Sequence, residues 1–389
     1  MESLLRKSSG IGLLEDLDLH DPVVKKKALM QRSTRLSFSV AIVCIAVSPA
    51  VGGARKTSPG KPPVAATIET TLGTASKQIR QLAFDGDNKT YFLSVQDLRT
   101  TDHFTLVFDE SVAITSITVI TGRPDGSDKL GAGKLQASTD GKTFHDRANF
   151  SDGEAFAVPG DHPIRAIRVK PATDLKHPVA IRELKIESEP PVAIFKYPVE
   201  FIVDVTDAPE MKDWAEKVAQ VCVRAYPMIN EELKSEGYKP PQVVSMTLKK
   251  GDRGVASASG SRITGSVSYF KAHPADVGAM VHETTHIVQR YRGRDNPGWL
   301  VEGVSDYVRF FKFEPGKIGR INPDRAHYNS SYRVTAAFLA YVTDKYDRKL
   351  VLTLNKLMRE GHYKEEVFKQ LTGKTVQELD VEWRASLRR

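Results

Sequence analysis

The stretch VHETTHIVQ at residues 281–289 constrains this chain more than any other part of it. It contains the pattern H-E-x-x-H, in which His282 and His286 are four residues apart and Glu283 follows the first histidine. On an α-helix, side chains at this spacing lie on one face. Two imidazoles so placed can bind one zinc ion, with the glutamate beside the metal-bound water. The sequence therefore predicts a helical metal site at the centre of a catalytic domain.

The residues around the pattern predict a helix with two distinct faces. Pro274 and Asp276 suit its first turn. The metal-binding face carries His282, His286 and Gln289. An apolar stripe that can pack on a sheet is formed by Val277, Val281, Thr284, Val288 and Tyr291. We therefore expect the two histidines to point away from the core.

A second helix is predicted over residues 298–309, with Asn296 as its N-cap and Pro297 as its first residue. A catalytic zinc takes three protein ligands and leaves one position for water. Glu302 is the candidate third ligand if a short turn folds this helix back onto the first. Asp306, one turn later, can accept the free ring N–H of a ligand histidine. The alternative is the reverse assignment, with Asp306 as the ligand and Glu302 in support.

The predicted chemistry is hydrolysis of a peptide bond. Zinc polarises a water molecule and the scissile carbonyl, and Glu283 acts as the general base. Tyr332 is the candidate donor to the tetrahedral oxyanion, with Tyr328 and His327 as further candidates. The competing interpretation of Tyr332 is a residue of the hydrophobic core.

The N-terminus has the pattern of a signal peptide. An apolar run at 36–47 follows Arg32 and Arg35 and precedes small residues at 48–54. We interpret residues 1–54 as an N-terminal extension and signal peptide, which predicts a secreted, periplasmic or extracellular protein. The run is short for a membrane span and no second one follows, so no stable transmembrane anchor is expected; a short membrane anchor is the alternative. Met30 would give a shorter charged region, which leaves Met1 and Met30 as alternative starts.

Charge and cysteine content limit the classes of partner. The formal net charge is +8, but the two signs are interspersed. No basic-aromatic pattern typical of a nucleic-acid groove is present, so no nucleic-acid partner is expected. The mildly basic surface suits anionic partners such as acidic polysaccharide, although solubility alone also explains it. Signal cleavage would remove Cys44 and leave Cys222, which excludes an intramolecular disulfide in the mature chain.

Composition and periodicity divide the chain into domains. The segments at 55–65 and 189–197 are predicted linkers, the first of them rich in proline. Residues 66–188 contain short alternating segments and turn residues, with strands expected at 104–108, 114–120, 134–138 and 164–170. This pattern predicts an all-β jelly-roll sandwich. Residues 198–389 are predicted to form an α+β domain with a helical C-terminal part. Its first elements are a strand at 199–205, a helix at 207–238 ended by two prolines, a strand at 243–249, and glycine-broken strand or loop up to Tyr269.

The N-terminal domain resembles the discoidin, or coagulation factor 5/8 C-type, domain family. The similarity lies in AFDGDNKT at 83–90, LQASTDGKTF at 135–144, IRAIRV at 164–169 and AIRE at 180–183. The family is similar to galactose-binding modules, and the resemblance implies a glycan or cell-surface ligand. Tyr91 and Phe92 stand where a tryptophan is common, which leaves the ligand open. The resemblance also implies a structural calcium ion held by Asp85, Asp87, the Thr90 carbonyl and Glu183. The alternative for residues 85–87 is a plain tight turn.

The C-terminal domain resembles the plant-type basic secretory protein family of zinc peptidases. The matching segments are residues 281–291, WLVEGVSDYVR at 299–309 and YRVTAAFL at 332–339. The resemblance implies a zincin-like fold and peptidase activity. It assigns His282, His286 and the 302–306 segment to the site, with Ser305 where alanine is usual. Because Gln289 and Arg292 replace the residues of the H-x-x-G-x-x-H continuation, the pattern is gluzincin-like.

These features together predict a secreted zinc peptidase that acts on a peptide or protein and is targeted by a carbohydrate- or surface-binding sandwich. The alternative is a non-catalytic surface- or glycan-binding adhesive protein whose zinc site is structural or degenerate. The number of protein ligands to zinc distinguishes the peptidase from the adhesive protein, because a structural zinc site is closed by four protein ligands. The sequence supplies three good candidates besides Glu283.

Overall fold

The computed structural model describes residues 61–291, 295–330 and 332–388. Ser58–Arg389 form one compact unit. The predicted signal region at 1–54 and the first part of the predicted linker at 55–65 lie outside the described residues. None of the described helices is both long enough and apolar enough to cross a membrane.

The N-terminal part of the described chain is built from eight strands. The order of the sheet is β2-β8-β3-β7-β4-β5, and β1 and β6 also pair with β3. The strands are β1 (Ala66–Thr70), β2 (Phe92–Leu93), β3 (Phe104–Thr121), β4 (Gly133–Ser138), β5 (His145–Asn149), β6 (Glu154–Ala157), β7 (Ile164–Pro171) and β8 (Ala180–Glu189). The predicted strands at 104–108 and 114–120 are one strand, and Arg80–Phe84 form a short 3-10 helix.

The long strand β3 belongs to both layers of this arrangement. Its first half pairs with β1 and β7, and its second half pairs with β6 and β8. The register with β7 shifts between Val107 and Val112, and such a bulge bends a strand. Phe104, Leu106 and Phe108 point into a closed apolar core between the layers. The predicted all-β sandwich is confirmed.

The C-terminal part has its own four-stranded sheet. The strands are β9 (Glu200–Asp204), β10 (Val243–Lys249), β11 (Ala256–Ser259) and β12 (Arg262–Ser266). They lie in the order β11-β12-β10-β9, with β10 parallel to both β9 and β12 and β11 antiparallel to β12. The helices are α1 (Lys212–Glu232), α2 (Val267–Ala272), α3 (Gly278–Gln289), α4 (Gly298–Tyr307), α5 (Tyr332–Lys345), α6 (Leu350–Glu360), α7 (Val367–Thr372) and α8 (Val376–Ser386). This confirms the predicted α+β domain with a helical C-terminal part.

Two elements of this domain differ from their sequence-based prediction. The helix expected at 207–238 ends at Glu232, well before the prolines, and the Leu233 N–H closes its last turn on the Ile229 carbonyl. The segment after β12 forms the short helix α2, whereas Tyr269 was expected in strand or loop. Ser266 is the reason, because its hydroxyl accepts a hydrogen bond from the Tyr269 N–H and caps the helix.

The starts of α3 and α4 also differ from expectation. Asp276 lies before α3, not in its first turn, and it accepts hydrogen bonds from the Tyr269 hydroxyl and from Arg309. Pro297 occupies the N-cap position of α4, so the prediction of Asn296 as the cap was wrong. The Asn296 amide donates instead to the Met358 carbonyl at 3.0 Å. Both polar side chains form tertiary contacts that local sequence does not reveal.

The sandwich and the α+β part have separate apolar cores and touch through polar contacts. Glu200 on β9 accepts hydrogen bonds from the Thr74 hydroxyl at 2.8 and 2.9 Å. The Gln81 side chain accepts from the Val199 N–H at 2.8 Å. Arg224 on α1 forms an ion pair with Asp109 on β3 at 2.7 Å. The predicted domain boundaries at 66–188 and 198–389 stay predictions.

Candidate metal centre

Helix α3 presents both histidines of the H-E-x-x-H pattern to one point. Val281, Thr284 and Val288 are fully buried in the core and fix the rotation of the helix. The opposite face then carries His282 and His286, whose Nε2 atoms lie 3.1 Å apart. The predicted division of this helix into an apolar stripe and a histidine face is therefore present.

Helix α4 brings a carboxylate to the same point. The Glu302 Oε2 atom lies 3.1 Å from His282 Nε2 and 3.0 Å from His286 Nε2. The end of α3 is joined to α4 by a hydrogen bond from Gln289 Nε2 to the Val301 carbonyl at 2.9 Å. Among the described residues, His282, His286 and Glu302 alone bring three possible metal-ligand atoms within 4.8 Å of one another.

The hydrogen bonds at the Nδ1 atoms of the two histidines determine which ring nitrogen is free to bind a metal. Asp306 Oδ1 lies 2.7 Å from His282 Nδ1, and Gln289 Oε1 lies 2.7 Å from His286 Nδ1. The Gln289 amide is oriented by its bond to Val301, so its oxygen is the atom that faces His286. Both Nδ1 atoms therefore carry a proton, which leaves both Nε2 atoms as acceptors when the rings are neutral. Sequence analysis placed Gln289 on this face without giving it this role.

With both rings neutral, the two Nε2 atoms and Glu302 Oε2 are three converging acceptor atoms, which fit a cation. A tetrahedral zinc ion bound at its usual distances separates its ligand atoms by about 3.3–3.4 Å. The observed separations of 3.0–3.1 Å are close to that value. Two nitrogens and one oxygen are also a donor set that zinc commonly takes in catalytic sites. The residues present therefore fit a zinc ion.

The charges of the site are strongly coupled even without an ion. Burial raises the pKa of Glu302, but hydrogen bonds to His282 and His286 outweigh it and lower that pKa to about 2. Burial likewise disfavours the charged form of His282, yet its contacts with Asp306 and Glu302 raise its pKa to about 9. The site thus stabilises positive charge at the point where the three ligand atoms meet.

Glu283 lies next to the three ligand atoms but not among them. It is buried, and it lines the same cavity as His282 and His286. Burial raises the pKa of Glu283, while the neighbouring His282 and His286 act in the opposite direction. A carboxylate with a raised pKa beside a metal site is suited to take up a proton.

The site opens into a cavity of about 810 Å³. One wall is strand β11, from which Ala256, Ser257 and Ala258 line the space. Arg309 lines it as well, and this side chain is held between Asp276 and Glu314, with Arg309 Nε 2.7 Å from Glu314 Oε1. The sequence did not predict this network, because Glu314 lies outside any recognisable motif.

The three candidate oxyanion donors are placed differently. Tyr332 lines the cavity, and its ring centroid lies 6.0 Å from that of His282. The charge of Glu302, followed by burial, raises the pKa of Tyr332. Tyr328 packs edge-on against Trp299, and its hydroxyl lies 3.4 Å from Glu365. His327 faces Asp380 at 3.6 Å. Neither Tyr328 nor His327 is among the residues that line the cavity.

The candidate calcium residues lie together in the sandwich. Asp85 accepts hydrogen bonds from the Asp87 N–H at 3.0 Å and from the Thr90 hydroxyl at 2.9 Å, which is also the geometry of a tight turn. Glu183 on β8 is buried, and its Oε2 atom has no hydrogen-bond partner among the described residues. Burial and the nearby Asp85 raise the pKa of Glu183 to about 7. An unpartnered buried carboxylate oxygen fits a hard cation.

Comparison with known proteins finds a peptidase family in the C-terminal part. Residues 200–383 match the model of the family described as BSP, peptidase of plants and bacteria. The matched segment includes His282, Glu283, His286 and Glu302. It confirms the resemblance of this domain to a peptidase family. No curated protein shows a significant match to the chain.

Solved structures similar to the chain include three carbohydrate-binding modules. CBM32-1 from a family 31 glycoside hydrolase of Clostridium perfringens is 16% identical, with a TM-score of 0.28 and a match covering 31% of this chain and 92% of that chain. The family 32 module of C. perfringens NanJ, in complex with galactose, is 18% identical, with a TM-score of 0.27 and the same coverages, 31% and 92%. A Streptococcus pneumoniae fucose binding module, SpX-3, is 10% identical, with a TM-score of 0.27 and coverages of 31% and 92%.

Proposed function

We propose that the chain is a zinc peptidase, in which His282, His286 and Glu302 hold the metal. The observation that carries this proposal is the convergence of three acceptor atoms at 3.0–3.1 Å beside the buried carboxylate of Glu283. A zinc ion bound there supplies Lewis acidity toward water and a peptide carbonyl. The family match over residues 200–383 supports the same class of reaction.

Each remaining side chain of the site has a distinct role in this proposal. Glu283 takes a proton from the attacking water and passes it to the leaving amine. Asp306 holds the His282 ring in the tautomer that leaves Nε2 unprotonated. Tyr332 donates a hydrogen bond to the oxyanion, and its partial exposure at the cavity allows it to move toward a substrate.

The edge strand β11 offers a binding surface for the peptide. It is the last strand of its sheet, and no strand in the described part of the chain pairs with its outer edge. Its side chains line the cavity that contains the metal centre. An extended peptide can pair with such an edge through main-chain hydrogen bonds. We infer that the substrate binds along β11 with its scissile bond near Glu283.

The proposal is tested with the variant Glu283→Gln. It should keep bound zinc, measured by metal analysis, because Glu283 is not a ligand. Casein hydrolysis should fall about 10²–10⁴-fold because the general base is lost. Glu236→Gln, at an exposed turn, is the matched control and should hydrolyse casein normally. Unchanged turnover by Glu283→Gln would rule out this mechanism.

Two further measurements separate the alternatives. Hydrolysis should stop with a chelator and return with zinc. Tyr332→Phe should lower kcat about 10²-fold if Tyr332 stabilises the oxyanion, and should leave kcat unchanged if it only packs. A zinc-loaded protein that cleaves no member of a peptide library would instead support the non-catalytic adhesive protein.

The N-terminal sandwich is proposed to deliver the peptidase to a glycan or a cell surface, outside the cytoplasm. We also propose a structural calcium ion at Asp85, Asp87, the Thr90 carbonyl and Glu183, supported by the unpartnered Glu183 oxygen. A glycan array with the whole chain tests the first proposal. Calcium titration monitored by thermal unfolding tests the second, and no shift of Tm would contradict it.

A further inference from the structure

The side chain of Arg309 lies between two neighbouring cavities. It lines the cavity that contains the metal centre, and it also lines a second cavity of about 470 Å³. Asp276 borders both cavities as well. Only 17% of the Arg309 side chain is exposed. A cation in such a place either joins two elements of the fold or binds the substrate, and its contacts bear on both roles.

Two carboxylates hold the guanidinium of Arg309. Its Nε donates to Glu314 Oε1 at 2.7 Å, and its Nη2 donates to Asp276 Oδ1. Asp276 also accepts a hydrogen bond from the Tyr269 hydroxyl at 2.6 Å. Glu314 also faces Lys317 at 3.1 Å. Because each acid has a further partner, the guanidinium has a fixed position and orientation.

The backbone is adapted to this network at two points. Val308–Phe313 form a π-helical turn after α4, in which the Glu314 N–H donates to the Arg309 carbonyl at 2.8 Å. Residues five apart in an α-helix differ by about 140° around the axis, and the wider turn brings Arg309 and Glu314 to one side. At the start of α3, a Cβ atom at Gly278 would collide with Glu314 Oε1 and lie 2.8 Å from Arg309 Nε. Glycine therefore leaves the room that the ion pair occupies.

One edge of the guanidinium is left for another partner. Within the described ranges, Nη1 of Arg309 forms no hydrogen bond. The described atoms that are both buried and unpartnered do not include it, so Nη1 is accessible from a cavity. Two carboxylates already offset the charge of Arg309, and a third would gain little. A neutral carbonyl oxygen, which needs only a donor, suits this edge better.

The distance from Arg309 to the proposed general base can be expressed in residues of substrate. Arg309 contacts α3 at Gly278, which precedes Glu283 by about 7.5 Å along the helix axis. An extended peptide advances about 3.3–3.4 Å per residue. A peptide that follows the cavity along α3, with its scissile bond near Glu283, therefore has a carbonyl near Arg309 about two residues from that bond.

We propose that Arg309 is a substrate-binding residue whose Nη1 donates to this main-chain carbonyl. The peptide is then recognised here through its backbone and not through a terminal carboxylate, which suits cleavage within a chain. This inference rests on the proposed peptidase function. The competing interpretation is that Arg309 only joins α3 to the π-helical turn. A structural residue affects all substrates alike, whereas a substrate contact affects only the peptides that reach it.

The test compares peptides of different length. Mass spectrometry of casein digested by the wild type identifies a cleaved bond. Synthetic peptides with acetyl and amide ends extend one to four residues to either side of it. On one side, kcat/KM should rise about tenfold or more at the step that adds the bound carbonyl, because a hydrogen bond to a charged group contributes at least that much. The measured quantity is this gain, so a general loss of activity cancels.

Two variants should reduce the gain at that step. Arg309→Lys keeps the charge but loses the rigid fork, so most of the gain should disappear. Arg309→Met/Glu314→Gln removes the cation together with a buried acid, leaves no such acid unpaired, and should lose the whole gain. Arg348→Lys, at an exposed position, is the matched control and should keep it. Thermal unfolding and metal analysis confirm that each variant is folded and contains zinc.

Binding without turnover gives a second measurement. The same peptides titrated into Glu283→Gln by calorimetry should show the same step in Kd, and adding Arg309→Lys to that variant should reduce it.

Several results would overturn the inference. An equal slowing of every peptide in the Arg309 variants would show that Arg309 only supports the fold. An unchanged gain in the double variant, or no gain in the wild type, would exclude the contact. At least tenfold faster cleavage of peptides with a free C-terminal carboxylate, lost in Arg309→Lys, would favour recognition of a terminal carboxylate instead. A wild type that hydrolyses no peptide would refute the proposed function itself, and this inference with it.

Discussion

Glu302 and Asp306 lie one turn apart on α4 and contact opposite sides of the same imidazole. Glu302 Oε2 lies 3.1 Å from His282 Nε2, whereas Asp306 Oδ1 lies 2.7 Å from His282 Nδ1. One metal ion cannot be bound through both nitrogens of one ring at the same point. The geometry therefore favours Glu302 as the ligand and Asp306 as the residue that orients the histidine.

This difference predicts unequal effects on zinc affinity. Asp306→Asn keeps the size of the side chain but weakens its hold on the His282 ring, so zinc affinity should fall about 10–100-fold. Glu302→Gln should cost more, because it removes a ligand. Competition with a chromogenic chelator measures both affinities. A larger loss of zinc affinity in Asp306→Asn than in Glu302→Gln would instead support Asp306 as the ligand and Glu302 as the supporting residue.

Glu183 gives the sandwich a pH dependence that a cation should reverse. The pKa of Glu183 is raised from 4.5 to about 7, with burial as the main cause, so the folded chain holds this proton more tightly than the unfolded chain. Stability should therefore fall as the pH rises from 4.5 toward about 7, by no more than about 3 kcal/mol. Calcium should remove this loss, because it stabilises the ionised form.

Urea unfolding at about pH 5 and about pH 8, with and without calcium, measures this effect. Glu183→Gln should flatten the calcium-free profile and abolish the response to calcium. Glu187→Gln, on the same strand with a partly exposed carboxylate, is the control. A calcium response that survives in Glu183→Gln would place the ion elsewhere.

At the scale of elements, the contact between α4 and α5 depends on one glycine. A Cβ atom at Gly303 would lie 2.1 Å from Thr335 Cγ2 and 2.7 Å from Thr335 Cβ. The neighbouring positions Val304 and Leu339 are fully buried, so the helices cannot separate without opening the core. This close approach positions Glu302, the residue before the glycine, against α3.

Gly303→Ala should destabilise the domain by about 1–3 kcal/mol through overpacking. Gly298→Ala is the matched control, because a Cβ there meets no atom within 4 Å. Thr335→Ser removes the methyl group that clashes and keeps the hydroxyl that donates to the Tyr328 carbonyl. The double variant should therefore recover part of the loss in urea unfolding. No recovery would show that the strain lies in the backbone.

The elements that sequence predicted best are those specified by local periodicity. Strand β10 has the predicted bounds, and the apolar stripe of α3 is buried as expected, because alternation and 3.6-residue spacing act over a few neighbours. Helix ends were less predictable. Asp276 and Asn296 have the residue types of helix caps, but they form contacts with Arg309 and Met358, which are distant in sequence.

The candidate site shows the same limit. The H-E-x-x-H spacing places two histidines on one face wherever the helix packs, and the need for a third ligand pointed to Glu302. The position of Glu302 at 3.0 Å from His286 depends on the Gln289–Val301 hydrogen bond and on Gly303. Neither follows from a local pattern. The roles of these residues in catalysis stay predictions.

At the scale of the whole molecule, the sandwich covers one edge of the peptidase-like sheet. Strand β9 is the outermost strand opposite β11, and Glu200 on it receives hydrogen bonds from the sandwich residue Thr74. Arg80 Nε lies 3.8 Å from the same carboxylate. On α1, Arg224 binds Asp109 through two nitrogens at 2.7 and 3.0 Å. These charge-assisted contacts join two parts that have separate cores.

Loss of both contacts should uncouple the unfolding of the two parts. The hydrogen bonds to the largely buried Glu200 carboxylate contribute about 1.5–3 kcal/mol, whereas the more exposed Arg224–Asp109 pair contributes about 1 kcal/mol at most. In calorimetry we expect one transition for the wild type. The double variant Glu200→Ala/Asp109→Ala should show two transitions, the lower one about 5 °C below the original. Glu236→Ala, which removes an exposed acid remote from these contacts, should keep the single transition. A double variant that melts like this control would mean that the polar contacts do not couple the parts, and that any targeting by the sandwich works through tethering alone.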